Sequence, residues 1–112
     1  MLSHPKLGAS WEGFVIEQVL ATEEHDDAWF WATHQGAEID LILRRGDRLY
    51  GVECKRADAP KLTRSMRIAL DDLRLERIAV IYPGVKRYPL VERVEAVPLL
   101  ELGEGSGLFG GK

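Results

Sequence analysis

Residues 36–55, GAEIDLILRRGDRLYGVECK, decide the fold that this sequence predicts. Glu38–Leu43 alternates between polar and apolar side chains, and this pattern predicts a β-strand. Arg48–Lys55 predicts a second strand, and the intervening Arg44–Asp47, which contains Gly46, is typical of a hairpin loop. The stretch therefore predicts two neighbouring strands that pair through a short loop.

The two predicted strands carry acidic and basic side chains at positions where these could meet. We expect Asp40 on the face of the first strand opposite to Ile39 and Leu41. Glu53 and Lys55 are two residues apart and therefore share one face of the second strand. Side chains that face each other across paired strands lie roughly 5 Å apart at Cβ. The two carboxyl groups are therefore expected to approach each other.

Two carboxylates in contact repel each other unless a positive charge compensates them. Oxygen ligands from one or two carboxylates, completed by water, suit Mg²⁺. We therefore predict that Asp40 and Glu53 hold Mg²⁺ (or Mn²⁺), with Lys55 beside them to stabilise charge on a phosphate. The alternative is a solvated pair of acids on an exposed sheet face, where a salt bridge to Lys55 contributes only about 0–1 kcal/mol.

The residues before this stretch predict one helix and one more strand. Ser10 is typical of a helix N-cap, and the helix is expected to end near Thr22. The apolar face expected for this helix consists of Trp11, Phe14, Val15 and Val19. Ala28–Thr33 is short and rich in aromatic residues, which favours a strand.

The residues after the stretch predict a second helix and two strands. Thr63 is expected to cap a helix that ends near Leu73. The uninterrupted apolar run within Arg77–Tyr82 is typical of a strand buried on both faces, as in a parallel β-α-β unit. Val94–Leu100 predicts a last strand, which Pro98 marks as an edge strand.

The predicted element order is therefore α-β-β-β-α-β-β. It indicates an α/β (α+β) fold with one mixed central sheet flanked by helices. A chain of 112 residues has the length of one domain, and we assign it to residues 1–102. The glycine-rich residues 103–112 are expected to form a flexible tail.

Composition limits the function classes further. The formal net charge is −3, so DNA binding would depend on a local basic patch or a bound cation rather than on overall charge. Cys54 is the only cysteine, which excludes an intramolecular disulfide and fits a reducing compartment. No signal-peptide pattern and no membrane-spanning apolar run is present. We therefore expect a cytoplasmic protein without a membrane partner.

The segments Gly36–Leu41 and Gly51–Lys55 resemble the pattern of the PD-(D/E)XK nuclease superfamily. More narrowly, the chain resembles a domain of unknown function found at the C-terminus of predicted AAA+-type ATPases of bacteria and archaea. The resemblance implies a restriction-endonuclease-like core and a divalent-metal-dependent nuclease that acts on DNA phosphodiesters. An Asp followed by Glu-x-Lys alone is a weak signal, but the glycine-led Glu-Ile-Asp strand before it strengthens the resemblance.

The resemblance also implies roles for individual residues. Asp40 and Glu53 match the metal-binding acids, the backbone carbonyl of Cys54 matches a third ligand, and Lys55 matches the catalytic lysine. Glu17 matches an extra acid that many members supply from the first helix, although an acid on an amphipathic helix is equally well explained as part of its wet face.

Basic residues near these positions are expected to contact nucleic acid. Arg56, Lys61 and Arg64 flank the predicted site and are candidates for contacts to the phosphate backbone. Arg64 shares its helical stripe with Arg67, whose spacing to Asp71 is equally typical of a salt bridge on a solvated face.

A second function remains open from the sequence, namely a catalytically inactive nuclease-fold module that binds or regulates a partner ATPase or self-associates as a dimer. The chain has no Gly-x-x-x-x-Gly-Lys-Ser/Thr loop, so we do not expect it to hydrolyse ATP by that mechanism. A free-standing protein, a truncated gene product and a fragment of a longer ATPase are all compatible with this pattern.

Overall fold

A computed structural model describes residues 10–103 and 107–109 of the chain. These residues form two α-helices, six β-strands and one 3₁₀ turn. In chain order the elements are α1 (Trp11–Thr22), β1 (Asp27–Ala32), β2 (Glu38–Arg45), β3 (Arg48–Cys54), α2 (Arg64–Asp72), β4 (Arg77–Tyr82), β5 (Tyr88–Val91), β6 (Val94–Pro98) and the 3₁₀ turn (Leu99–Glu101).

The six strands form one mixed sheet in the order β1-β2-β3-β4-β6-β5. β3 and β4 are parallel, β4 and β6 are parallel, and the other neighbours are antiparallel. α2 is the crossover between the parallel strands β3 and β4, as the apolar run in β4 indicated. The predicted α/β fold with a mixed sheet and flanking helices is confirmed.

The sheet has a separate apolar core on each face. Val15, Ile16 and Val19 of α1 pack over one face of the sheet. Met66, Ala69 and Leu70 of α2 pack over the other face. A central sheet covered on both sides explains why β4 reads as a continuous apolar run rather than as an alternating one. No helix among residues 10–103 and 107–109 has the length and apolar character needed to cross a membrane.

Both predicted helix starts are confirmed, because a side-chain cap is a local feature. The Ser10 hydroxyl accepts a hydrogen bond from the Gly13 N–H at 3.0 Å, and the Thr63 hydroxyl accepts one from the Met66 N–H at 3.2 Å.

The predicted apolar face of α1 was wrong at one position. Phe14 is 49% exposed, whereas Ile16 is fully buried. Apolar residues surround most of this helix, so the 3.6-residue period alone does not select the face that meets the sheet.

The predicted alternation in β2 was also wrong. Ile39 packs in the core on the α2 side, whereas Leu41 packs in the core on the α1 side. The pairing of β2 with β1 changes register between Trp29 and Trp31, which face Ile42 and Ile39 respectively. The extra residue in β2 is a β-bulge, and it reverses side-chain alternation at the position of Asp40.

The predicted end of the sheet requires a further correction. β5 was not predicted, and the strand that contains Pro98 is not an edge strand, because β6 lies between β4 and β5. Pro98 is the last residue of β6. Because the ladder of hydrogen bonds does not continue beyond it, the absence of an N–H on proline costs little stability. The edge strand β5 contains Pro89, in agreement with the general confinement of proline to edges.

Part of the predicted flexible tail is packed. Of residues 103–112, the structure describes Gly103 and residues 107–109, and Leu108 is only 2% exposed within the α1-side core. The expected tail therefore contributes to the core at this point. Residues 104–106 and 110–112 lie outside the described part of the chain, as do residues 1–9.

Candidate functional site

The bulge in β2 places Asp40 beside Glu53 at the end of β3. The ladder between β2 and β3 runs from Arg45–Arg48 to Leu41–Val52, and the two acids follow at its end. The Asp40 N–H donates to Glu53 Oε1 at 2.8 Å, and the Cys54 N–H donates to Asp40 Oδ2 at 2.9 Å. Each carboxyl group thus accepts a hydrogen bond from the backbone of the other strand.

Both acids are removed from solvent, with Asp40 3% and Glu53 7% exposed. Burial, together with the neighbouring charge of Asp40, raises the pKa of Glu53 to about 8, while the Asp40 N–H and the Lys55 amine act in the opposite direction. In the absence of another cation, the pair therefore retains one proton at neutral pH.

Several chain segments meet at this edge of the sheet. The Lys55 N–H donates to the Ile81 carbonyl at 2.8 Å, which continues the parallel β3–β4 ladder two residues past Glu53. The Arg56 guanidinium lies 5.9 Å from the ring centroid of Trp11, the first residue of α1. The Ser65 hydroxyl, in the first turn of α2, accepts from the Glu38 N–H at 3.2 Å.

The first turn of α2 therefore contacts the start of β2, and the residue after Lys55 contacts the start of α1. Ligands of open α/β sheets bind at the carboxyl ends of their strands, and β3 ends at the acid pair. This edge combines two buried acids with the amine of Lys55, which is an arrangement suited to a cation together with an anionic substrate.

The donor set suits a divalent cation of the Mg²⁺ type. A carboxylate offers about four lone-pair positions, so the hydrogen bonds between Glu53 and Asp40 leave acceptor capacity on Glu53. Mg²⁺ typically takes one or two carboxylates and retains several waters, which does not require a third acidic side chain. A bound cation would compensate the same repulsion that the retained proton compensates.

Glu17 and Cys54 were predicted as further contributors to the site, and the structure describes both. Glu17 is exposed on α1, and among the described residues no group of three or more His, Cys, Asp or Glu side chains is arranged to hold a metal ion. The Cys54 side chain is buried in the core, as predicted, and the role of its carbonyl as a ligand stays a prediction.

The three residues predicted to contact nucleic acid are exposed, and they follow the acid pair closely in the sequence. Arg56 directly follows Lys55, Lys61 precedes the cap of α2, and Arg64 is the first residue of that helix. Their exposure leaves their charges accessible from solvent, and their contact with phosphates stays a prediction.

A third buried acid, Glu23, lies directly after α1, is 5% exposed and was not predicted from the sequence. It forms a salt bridge with Arg45 at 3.3 Å and accepts from the Leu108 N–H. These partners lie 22 and 85 residues away in the chain, so no local pattern could have indicated them.

Comparison with known proteins finds one matching family and two similar proteins. The model of a family described as a domain of unknown function, DUF4143, matches residues 7–102. An uncharacterized protein of Mycobacterium bovis and another of Mycobacterium tuberculosis are each 52% identical to this chain over 95 residues, which is 85% of this chain but 22% of the relative.

The chain thus spans about a fifth of the length of the curated relatives that it matches. No solved structure matches it. Because the family match covers nearly all of the described helices and strands, the chain belongs to the DUF4143 family of domains of unknown function.

Proposed function

We propose that this domain is a divalent-metal-dependent nuclease module of the restriction-endonuclease-like kind, which acts on DNA phosphodiesters. The observation that supports it is the direct contact between Asp40 and Glu53 at the end of two neighbouring strands, with Lys55 two residues further on. In this proposal the domain acts on DNA in the cytoplasm.

Each residue of the site has a distinct role in this proposal. Asp40 and Glu53 hold Mg²⁺ or Mn²⁺, with the Cys54 carbonyl as a third ligand. When bound, the cation supplies positive charge and Lewis acidity to the phosphodiester. Lys55 orients the attacking water and stabilises negative charge that develops on the phosphate. The role of Glu17 as a further acid stays a prediction, and the proposal does not depend on it.

The basic residues that follow the acid pair extend the site towards the nucleic-acid backbone. Arg56, Lys61 and Arg64 supply positive charge on the loop and helix start after Lys55, and we assign them to phosphates that flank the scissile bond. Such contacts position the duplex and carry no sequence information by themselves.

Binding of Mn²⁺ to the purified chain, measured by isothermal titration calorimetry at pH 8, tests the metal site. We expect one site in the wild type and at least a tenfold loss of affinity in Asp40→Asn and in Glu53→Gln. Glu38→Gln is the matched control, because Glu38 is an exposed acid two residues before Asp40 on the same strand. Equal heats in wild type and Asp40→Asn would remove the site.

Cleavage of plasmid and single-stranded DNA in Mn²⁺ tests the activity itself. We expect cleavage by the wild type and at least a hundredfold loss in Lys55→Ala, with metal affinity changed much less, because Lys55 is not proposed as a ligand. A wild type that binds Mn²⁺ tightly but leaves every DNA substrate intact would reject the nuclease proposal and keep the metal site.

A second candidate function is a non-catalytic module that binds a partner ATPase domain or a second copy of the chain. Two observations favour it. Each of the two carboxyl groups accepts a hydrogen bond from a backbone N–H of the neighbouring strand. The two acids can therefore hold β2 and β3 together without a metal. The chain also spans only 22% of its relatives, which leaves room for a partner domain in those proteins. Absence of Mn²⁺ and DNA binding, together with a stable dimer, would favour this function.

A further inference from the structure

Leu108 is bound to the rest of the domain in the manner of a peptide ligand. Its N–H donates to both carboxylate oxygens of Glu23, at 3.1 and 3.2 Å, and its carbonyl accepts from the Arg87 guanidinium at 2.6 Å. Its side chain is 2% exposed and packs in the α1-side core. Charged side chains thus hold both backbone polar groups of one residue, while its side chain fills an apolar pocket.

The next residue, Phe109, is held by contacts to its aromatic ring. Phe109 lies against Tyr50 with ring centroids 4.6 Å apart. The Arg45 guanidinium lies 5.3 Å from the Tyr50 centroid and 5.7 Å from the Phe109 centroid. The same guanidinium pairs with Glu23 at 3.3 Å, so Arg45 connects the carboxylate that holds Leu108 with the rings that hold Phe109.

The residue before Leu108 is restricted to glycine by two independent features. Gly107 has φ +81°, a conformation that L side chains rarely adopt, and a Cβ at this position would lie 3.1 Å from Glu23 Oε1. The receiving surface therefore selects the sequence glycine, leucine, aromatic residue. We call the receiving residues Glu23, Arg45, Tyr50 and Arg87 the tail site.

All tail-site residues lie inside residues 7–102, which the family model matches, whereas the occupant lies beyond them. Only three residues separate Gly103 from Gly107 in the sequence, and an occupant tethered at so short a distance along the chain has a millimolar effective concentration at the site. An open tail site would leave Glu23 paired with Arg45 but without the Leu108 N–H, so binding of an extended peptide would restore this hydrogen bond.

From these contacts we infer a peptide-binding site for a Gly-Leu-aromatic segment, which the chain's own tail occupies in cis and the same tail of a second copy can occupy in trans. This inference is independent of the proposed nuclease activity, since the tail site and the acid pair share no residue. Exchange of such a segment between copies is a recognised route to dimers.

The test uses the full chain and a fluorescein-labelled synthetic peptide of residues 103–112 as a probe of a second copy's tail. Gly107→Ala in the protein weakens docking of its own tail by strain and crowding, but leaves the tail site unchanged. By fluorescence anisotropy, we expect the labelled peptide to bind the Gly107→Ala chain at least tenfold more tightly than the wild-type chain.

Two controls make this test specific. Gly36→Ala introduces the same side chain at φ +94° in an open turn, with nothing within 4 Å of the added Cβ, so it should bind the peptide as the wild type does. A peptide with Leu108→Ala should bind every chain at least tenfold more weakly than the unmodified peptide. Equal binding of both peptides, or no gain in a folded Gly107→Ala chain, would overturn the inference.

A measurement on the wild type keeps the test valid if Gly107→Ala does not fold. Excess unlabelled peptide should displace the protein's own tail, and hydrogen exchange of the Leu108 amide in the ¹⁵N-labelled chain should then accelerate. We expect severalfold faster exchange at millimolar peptide, and no acceleration with the Leu108→Ala peptide. Unchanged exchange with both peptides would reject exchange in trans.

Discussion

At the scale of single residues, Glu53 has the most unusual environment in the described part of the candidate site. Burial and the charge of Asp40 disfavour its ionised form and raise its pKa to about 8, from an ordinary value of 4.5. The folded chain therefore keeps a proton across a pH range in which the unfolded chain has lost it. The free energy of unfolding must then depend on pH in this range.

The sign of this dependence follows from the two pKa values. Below about pH 4.5 the carboxyl group is protonated in both states, so it has no effect on the pH dependence. Between about pH 4.5 and 8 unfolding releases a proton, so the stability of the metal-free chain falls as pH rises. Above about pH 8 both states are ionised and the effect levels off.

Glu53→Gln should remove this pH dependence, because a glutamine can still accept the Asp40 N–H and carries no titrating proton. In urea unfolding with a chelator present, we expect the wild type to lose on the order of 3 kcal/mol more than Glu53→Gln between pH 5.5 and 8.5. Glu38→Gln should keep the wild-type slope. Parallel curves for the wild type and Glu53→Gln would show that Glu53 ionises normally in the folded chain.

At the scale of elements, the two faces of α1 differ sharply in their contribution to stability. Ile16 is fully buried against the sheet, whereas Phe14 is 49% exposed on the opposite part of the helix. Truncation of a fully buried side chain leaves a cavity in addition to lost apolar burial, whereas truncation of an exposed one changes little in the folded state.

Ile16→Ala should therefore lower the free energy of unfolding by about 2–5 kcal/mol, and Phe14→Ala should change it by no more than about 0.5 kcal/mol. Chemical denaturation monitored by circular dichroism measures both. The pair is internally controlled, because both substitutions shorten an apolar side chain to alanine in the same helix. A larger loss from Phe14→Ala would mean that Phe14 is covered in solution.

Local features of these elements could be predicted from the sequence, and features set by tertiary contacts could not. Ser10 and Thr63 mark the two helix starts because each cap bonds within its own first turn. The bulge that reverses alternation at Asp40 depends on how β1 pairs with β2, and no residue within β2 indicates it.

The candidate site shows the same division. The positions of Glu53 and Lys55 follow from strand alternation in β3 and from the resemblance. The position of Asp40 depends on the bulge in β2, and the hydrogen bond that each carboxyl group accepts from the other strand is visible only in the folded chain. Leu108 stands in a glycine-rich segment, and its burial depends on Glu23, 85 residues earlier in the chain. Composition alone therefore predicted a free tail where the structure has a packed residue.

At the scale of the whole molecule, the candidate site lies at one end of the sheet, whereas basic residues lie at both ends. Arg56 and Arg64 follow the acid pair in the chain, and Arg64 is the first residue of α2. Arg48 and Arg74 lie at the other end, because β3 begins at Arg48 and Arg74 follows the end of α2. The proposed function requires a DNA duplex to bind at the acid-pair end, whereas attraction by charge alone would not distinguish the two ends.

The salt dependence of DNA binding tests this requirement directly. Each lost phosphate contact lowers the slope of log Kobs against log salt concentration by about 0.9 for duplex DNA. The double variant Arg56→Ala with Arg64→Ala should therefore lower the slope by about 1.8 in fluorescence anisotropy titrations. Arg48→Ala with Arg74→Ala removes the same charge from the other end of the sheet and should leave the slope unchanged. Equal losses from both double variants would mean that DNA responds to net charge alone, and the acid-pair end would then have no special role in binding.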